Sequence, residues 1–160
     1  MPRSYLMSRK WSMTNRFTIT DETGAPQFEV QGKSAFSSRL SIIDSSGALA
    51  ASISGRAFSS RYEIQAGGLT TVIRPRGIFG QRFEITSPAG QMEARGNFSE
   101  RTYTVTRGGA MVAMITQQRS LRERFAVEIA DGEEPALLLA VVLTIEIIRD
   151  ARRRAAAAGG

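Results

Sequence analysis

The chain has 160 residues, 42% of them hydrophobic and 22% charged, which is long enough for one domain with a buried core. It contains neither His nor Cys, which excludes disulfides, Cys/His zinc sites and the Ser-His and Cys-His nucleophile systems. The net charge of +6, almost all of it arginine since only Lys10 and Lys33 are lysines, attracts phosphates in nucleic acid or on an anionic membrane; its spread along the chain also fits a compositional bias toward Arg and Ala.

The opening "MPRSYLMSRKW" has no apolar stretch of the kind a secretory signal needs, so a cytoplasmic location is expected. A repeated unit follows. Met13 to Ile19, "FSSRLSI" (36–42), "FSSRYEI" (58–64), "FGQRFEI" (79–85), "FSERTYTV" (98–105) and "LRERFAV" (121–127) share an apolar residue, an Arg three positions on, and an alternating apolar run. The recurring bases are Arg16, Arg39, Arg61, Arg82, Arg101 and Arg124, at intervals of about twenty residues. The fifth copy carries one extra residue before its alternation resumes, which suggests a bulge.

Between copies lie Gly-containing turns: "DETGAP", "DSSGA", "AGG", "SPAGQ", "RGG" and "ADGEE". Alternation on both sides of such a turn reads as a hairpin, as with Phe17/Ile19 and Phe28/Val30 around the first. With "YLMSRKW" supplying a strand, about twelve short antiparallel strands result, a count that favours a closed barrel over an open sheet. Phe28, Ile42, Ile53, Ile64, Ile85, Val105 and Ile129 are expected to point inward. The recurring Arg should sit on the solvent face beside an acid two residues on, as with Arg61/Glu63 and Arg82/Glu84, a pair worth at most about 1 kcal/mol.

Residues 135–148, "PALLLAVVLTIEII", follow Asp131, Glu133 and Glu134. Acids and a Pro at the start mark a helix N-terminus. The helix, expected over about 134–150, is apolar on all sides, so it is either a membrane span or the centre of a core. Fourteen residues cover roughly 21 Å, short of a hydrocarbon thickness of about 30 Å, and Glu146 shortens the apolar run further. A twelve-stranded barrel leaves a lumen that a helix about 10–12 Å across can fill. The sequence therefore predicts one domain over 1–150, a β-barrel wrapped around a buried C-terminal helix, with "ARRRAAAAGG" (151–160) as a disordered tail.

The repeats, together with "FTITDETGAPQFEVQGK", "LSIIDSSGALAASI", "YTVTRGGAMVAMI" and "FAVEIADGEEPALLLAVVLTIEII", resemble the LURP-one-related proteins, a tubby C-terminal-like family related to the phospholipid scramblases. The resemblance covers nearly all of residues 4–150 and implies a twelve-stranded barrel around a central helix. It also implies a non-catalytic domain whose relatives bind membranes. Tubby proteins read phosphoinositides with a Lys and an Arg two apart; in the matching stretch "AASISGRAFSSRYEI" those positions hold Ser52 and Ser54, with Arg56 and Arg61 close by. Scramblases are linked to calcium through acids before the terminal helix. Here only Asp131, Glu133 and Glu134 stand there, which helix capping and dipole complementarity account for, and no metal site is assigned.

The anionic-ligand residues singled out are Arg9, Lys10, Arg56, Arg61, Arg74 and Arg76. "QGKS" at 31–34 lacks the first Gly of a phosphate loop, since Gln27 stands there. Most aromatics alternate inward, which leaves Trp11 as the one free stacking platform and argues against nucleic acid. No catalytic constellation is found and no cofactor is implied. Three readings remain open: a module touching anionic phospholipid at a membrane surface, a protein-interaction or regulatory scaffold, and an enzyme acting at the barrel mouth.

Overall fold

The structure, a computed structural model, describes residues 2–8, 16–32, 39–55, 61–77, 82–117 and 124–159. Alternating apolar and polar residues between tight turns produce twelve strands: β1 (Arg3–Ser8), β2 (Arg16–Asp21), β3 (Pro26–Gly32), β4 (Leu40–Asp44), β5 (Leu49–Gly55), β6 (Tyr62–Ala66), β7 (Leu69–Arg76), β8 (Arg82–Ser87), β9 (Gly90–Asn97), β10 (Thr102–Arg107), β11 (Ala110–Gln117) and β12 (Arg124–Ile129). One helix, α1 (Pro135–Gly159), follows. Each strand pairs antiparallel with its sequence neighbours, and β1 pairs with β12, Arg3 opposite Ile129, so the sheet closes into a barrel.

The turns β2–β3, β4–β5, β6–β7, β8–β9 and β10–β11 gather at one end, the turn end, with the β12–α1 connection. Two of them share one design. Asp21 Oδ1 accepts from the Thr23 hydroxyl at 2.6 Å and from the amides of Thr23 and Ala25, and Asp44 does the same with the Ser46 hydroxyl and the Ser46 and Ala48 amides. The chain reverses at Gly24 and Gly47, whose φ of 87° and 88° lie where a side chain is strained.

The Thr23 hydroxyl, then the Ala25 amide, hold the Asp21 carboxyl below its usual 3.8; the Ser46 hydroxyl and the Ala48 amide do the same for Asp44. A carboxylate whose folded value is lowered contributes stability that is fully present above its unfolded value and is lost as pH falls through the folded one. The melting temperature of the wild type should therefore exceed that of Asp21→Ala/Asp44→Ala near neutral pH, with the gap closing below pH 3.8. A gap independent of pH would mean that the turns owe nothing to these charges.

α1 starts at the turn end. Glu134 is its N-cap, its carbonyl accepting from the Leu138 amide, and Pro135 fills the first helical position, where no amide hydrogen is needed. The acids stand just ahead of the first turn rather than in it. From Leu138 to Glu146 every residue is buried, and the Thr144 hydroxyl is satisfied by the Ala140 carbonyl at 2.8 Å. Around the helix, Ile42, Ile53, Ile64, Ile85, Val105 and Ile129 are buried as the alternation requires. Phe28 is half-buried at the rim, its ring 6.2 Å from that of Tyr5.

Two expectations are corrected. The helix does not end near 150 in a disordered tail but runs on to Gly159 as an exposed segment, because Ala and Arg are among the strongest helix formers. The extra residue of the fifth repeat makes no bulge beside Arg101. It is taken up by the turn Phe98–Arg101, in which the Arg101 amide bonds the Phe98 carbonyl, and the register shift in β10 falls later, between Val105 and Thr106. Beneath that turn Gly96 lies against the chain opposite; a Cβ there would stand 2.6 Å from the Thr102 carbonyl oxygen and from Tyr103 Cα.

Candidate anion-binding end of the barrel

Among the recurring arginines whose side chains are described, Arg101 is the one that the fold turns inward. Its φ of 53° is left-handed, which costs a non-glycine residue about 1 kcal/mol. That conformation sends the side chain into the core, where it is the largest fully buried side chain among the described residues, 2% exposed. Nε and Nη2 each donate to Glu146 at 2.9 Å, Nη1 donates to Gln117 Oε1 at 3.1 Å, and the guanidinium lies 4.9 Å from the centroid of the Phe125 ring. Glu146, also 2% exposed, is the acid that interrupts the apolar helix. The pair ties α1 to the end of the barrel opposite the turns. Tyr103 is buried beside it with no partner for its hydroxyl; burial first, and then the Glu146 charge, push that phenol well above its usual range.

Beyond this tie α1 leaves the barrel. Arg149 donates to the Ser99 carbonyl at 3.0 Å, and the Arg152 guanidinium lies 5.5 Å from the centre of the Phe83 ring. The charges follow this geometry. Arg39, Arg61, Arg76, Arg82, Arg95 and Arg124 stand at or near the exit end of their strands, whereas Asp21, Glu22, Asp44, Asp131, Glu133 and Glu134 stand at the turn end. Among the described residues only Arg3 and Arg107 are bases at the turn end, and Arg107 is bound to Glu133.

The strand register concentrates the exit-end bases. Arg76 stands directly opposite Arg82, and Arg82 opposite Arg95, so three arginines lie abreast on the outer face of β7, β8 and β9. Arg61 and Arg74, one step beyond the pair Tyr62–Ile73, lie in the neighbouring row, where Arg74 stands opposite Glu84. That row, with Glu84 opposite Glu93, runs two residues inside the first. Like charges facing each other across strands are destabilising, and diagonal pairing relieves them: Arg76–Glu84 at 3.1 Å, Arg82–Glu93 at 3.7 Å, and Arg95–Glu93 at 2.7 Å. Arg61 pairs with Glu63 at 3.1 Å, as the repeat predicts, but Arg82 pairs across strands rather than with Glu84. These pairs are largely exposed and each is worth at most about 1 kcal/mol. Over the two rows five arginines face three glutamates, so this face keeps a surplus of positive charge. A groove of about 470 Å³ lined by Arg76, Arg82, Glu84 and Glu93 runs from it toward the β10–β11 turn.

Of the residues chosen from the sequence, Arg61, Arg74 and Arg76 are thus brought together. Arg9, Lys10 and Arg56, like Trp11, lie outside the described residues. Arg82, Arg95 and the helix bases Arg149, Arg152 and Arg153 were missed, although the repeat itself put Arg82 in step with Arg61. Ser52 and Ser54 line a groove of about 510 Å³ with Gln31, Arg39 and Ser41. Ser52 faces Ser41 and Gln65, and Ser54 faces Glu63, so that groove is mostly hydroxyl and amide, with an acid at its edge. Among the described residues no group of three or more carboxylates could hold a metal ion, and no helix is long and apolar enough to cross a membrane.

The sequence profile of the LURP-one-related family matches residues 3–146. The chain belongs to the LURP-one-related family. This LURP-one-related barrel is also similar to the X-ray structure of an Arabidopsis thaliana protein, at a TM-score of 0.71 and 17% identity, over 92% of this chain and 91% of that one; the likeness carries the fold alone. No curated protein matches the sequence.

Proposed function

We propose that this barrel is a non-catalytic module that docks on anionic phospholipid at a membrane surface through its exit end, as a peripheral protein of the cytoplasmic face. The observation that carries the reading is the arginine row. Arg76, Arg82 and Arg95 are held abreast, an arrangement that the strands themselves do not favour and that a layer of phosphates would stabilise. Arg152 and Arg153 on the projecting helix add charge at the same end. The module shares its family with membrane-binding relatives only through the wider tubby-like resemblance, so direct vesicle binding is the test.

Flotation with neutral, phosphatidylserine-rich and phosphoinositide-containing vesicles, at low and physiological salt, with calcium and with chelator, should show binding to the anionic vesicles alone, weakened by salt. With about 1 kcal/mol per base near the surface, Arg76→Gln/Arg82→Gln/Arg95→Gln should lower affinity about a hundredfold. Absence of flotation under every condition would overturn the reading. A protein-interaction scaffold is favoured by a separate observation: Leu49, Leu69 and Met111, the exposed large hydrophobic residues among those described, all stand at the turn end, away from the arginine row.

A further inference from the structure

Glu84 and Glu93 stand directly opposite each other on the outer wall, with Cβ atoms about 5 Å apart as cross-strand partners are. Two like charges so placed repel, and the pair is held by its cations: Arg76 on Glu84, and Arg82 and Arg95 on Glu93. These are the arginines that the lipid reading assigns to phosphate. A phosphate that takes Arg76 and Arg82 draws them off both glutamates. A headgroup that brings only an anion leaves the facing carboxylates poorly compensated. A headgroup that brings a cation together with its phosphate replaces what it removes.

The groove of about 470 Å³ on this wall has the chemistry for such a headgroup, since Arg76, Arg82, Glu84 and Glu93 all line it. Their side chains are 45%, 48%, 41% and 35% exposed, so a ligand can reach all four. Base and acid lie 3.1 Å apart in one pair and 3.7 Å in the other, close enough for a phosphate and an ammonium joined by an ethylene bridge to meet both. The kind of ammonium is set by the lining. Quaternary ammonium groups are recognised on aromatic faces, and among the described residues that line the groove there is no aromatic ring. A primary ammonium instead needs acceptors for its N–H donors, and carboxylates are the strongest the side chains offer.

We propose that this groove takes the phosphoethanolamine headgroup of phosphatidylethanolamine, its phosphate on Arg76 and Arg82 and its primary ammonium between Glu84 and Glu93. The inference rests on the reading of the barrel as a lipid module and adds the headgroup class that the module selects. Anionic lipid supplies the attraction for the surplus arginines. The zwitterionic headgroup beside it satisfies the mixed rows of the β7–β9 wall, which turns to the membrane when the exit end docks.

The test is flotation with two kinds of vesicle that hold equal phosphatidylglycerol, one filled out with phosphatidylcholine and the other with phosphatidylethanolamine. The two carry the same net charge and differ only in the ammonium group. The wild type should bind the phosphatidylethanolamine vesicles about tenfold more tightly. Glu84→Gln/Glu93→Gln should lose that preference, yet bind the phosphatidylcholine vesicles at least as tightly as the wild type, since it has shed negative charge. Glu63→Gln removes an acid from the same face outside the groove and should keep the preference. Equal binding of the wild type to both vesicles would overturn the proposal and leave the lipid reading standing. A preference that survives in Glu84→Gln/Glu93→Gln, or that vanishes in Glu63→Gln, would overturn it as well, because the groove glutamates would not be its source. Flotation with neither vesicle would overturn the lipid reading and the proposal together.

Discussion

Replacing Arg101 by Met is expected to lower the unfolding free energy by about 3–5 kcal/mol, because it removes both short hydrogen bonds to the buried Glu146 carboxylate and leaves it only the longer 3.9 Å contact with Arg149. Domains are stable by only about 5–15 kcal/mol, so the variant would be close to unfolding at ambient temperature. Glu146→Leu should cost a similar amount, leaving a buried guanidinium with Gln117 and the Phe125 ring as its company. The double variant Arg101→Met/Glu146→Leu removes both charges together and should recover most of the loss. An apolar pair of similar volume avoids the desolvation of two ions and is often as stable as the ion pair it replaces. Urea denaturation of the four proteins gives the coupling as a double-mutant cycle. Losses that simply add would show that the pair does not act as a unit and that α1 is held by packing alone.

Leu139→Asp and Val142→Asp are expected to prevent folding altogether. Both side chains have 0% exposure and stand in the middle of the helix stretch that the barrel encloses. A carboxyl group placed there without a partner costs several kcal/mol even when it takes up a proton, and the aliphatic contacts are lost as well. Leu139→Ala provides the graded comparison: it should cost about 2–5 kcal/mol and leave a folded, less stable barrel. Far-UV circular dichroism with thermal melting separates these outcomes. A cooperative melt with an intact β-signal in either Asp variant would mean that the barrel does not depend on its central helix.

The barrel and its helix were legible because both rest on short-range patterns. Alternation around Gly turns fixes hairpins one at a time, and the apolar run after Pro135 has too few residues to span a bilayer, which left the barrel lumen as its place. Arg101 was harder to read. Side-chain direction follows the backbone, and the left-handed turn that swings this arginine inward shows in the sequence only as one added residue in the fifth repeat. A second signal was present in Glu146, a lone acid in an apolar helix, which needs a buried base. Arg101 is the repeat base that breaks the common spacing. The arginine row was legible only in part, since the repeat equates Arg61 with Arg82, while the meeting of Arg76, Arg82 and Arg95 depends on register across three strands. The helical course of residues 151–159 follows from the propensity of Ala and Arg, while the run of small residues without apolar periodicity reads as a loose end.

The pairing of β1 with β12 also governs how the chain can reach its native state. The strand nearest the N-terminus finds its second partner only when residues 124–129 have emerged, and the central helix follows later still. A growing chain on the ribosome therefore holds hairpins with open edges and an empty interior, and no intermediate length closes the barrel. Contacts so distant in sequence slow folding, and unpaired edges invite association with other nascent chains. Hairpins of two strands bounded by tight Asp-anchored turns reduce that exposure, since each can form locally before the last segment threads the lumen and completes the ring.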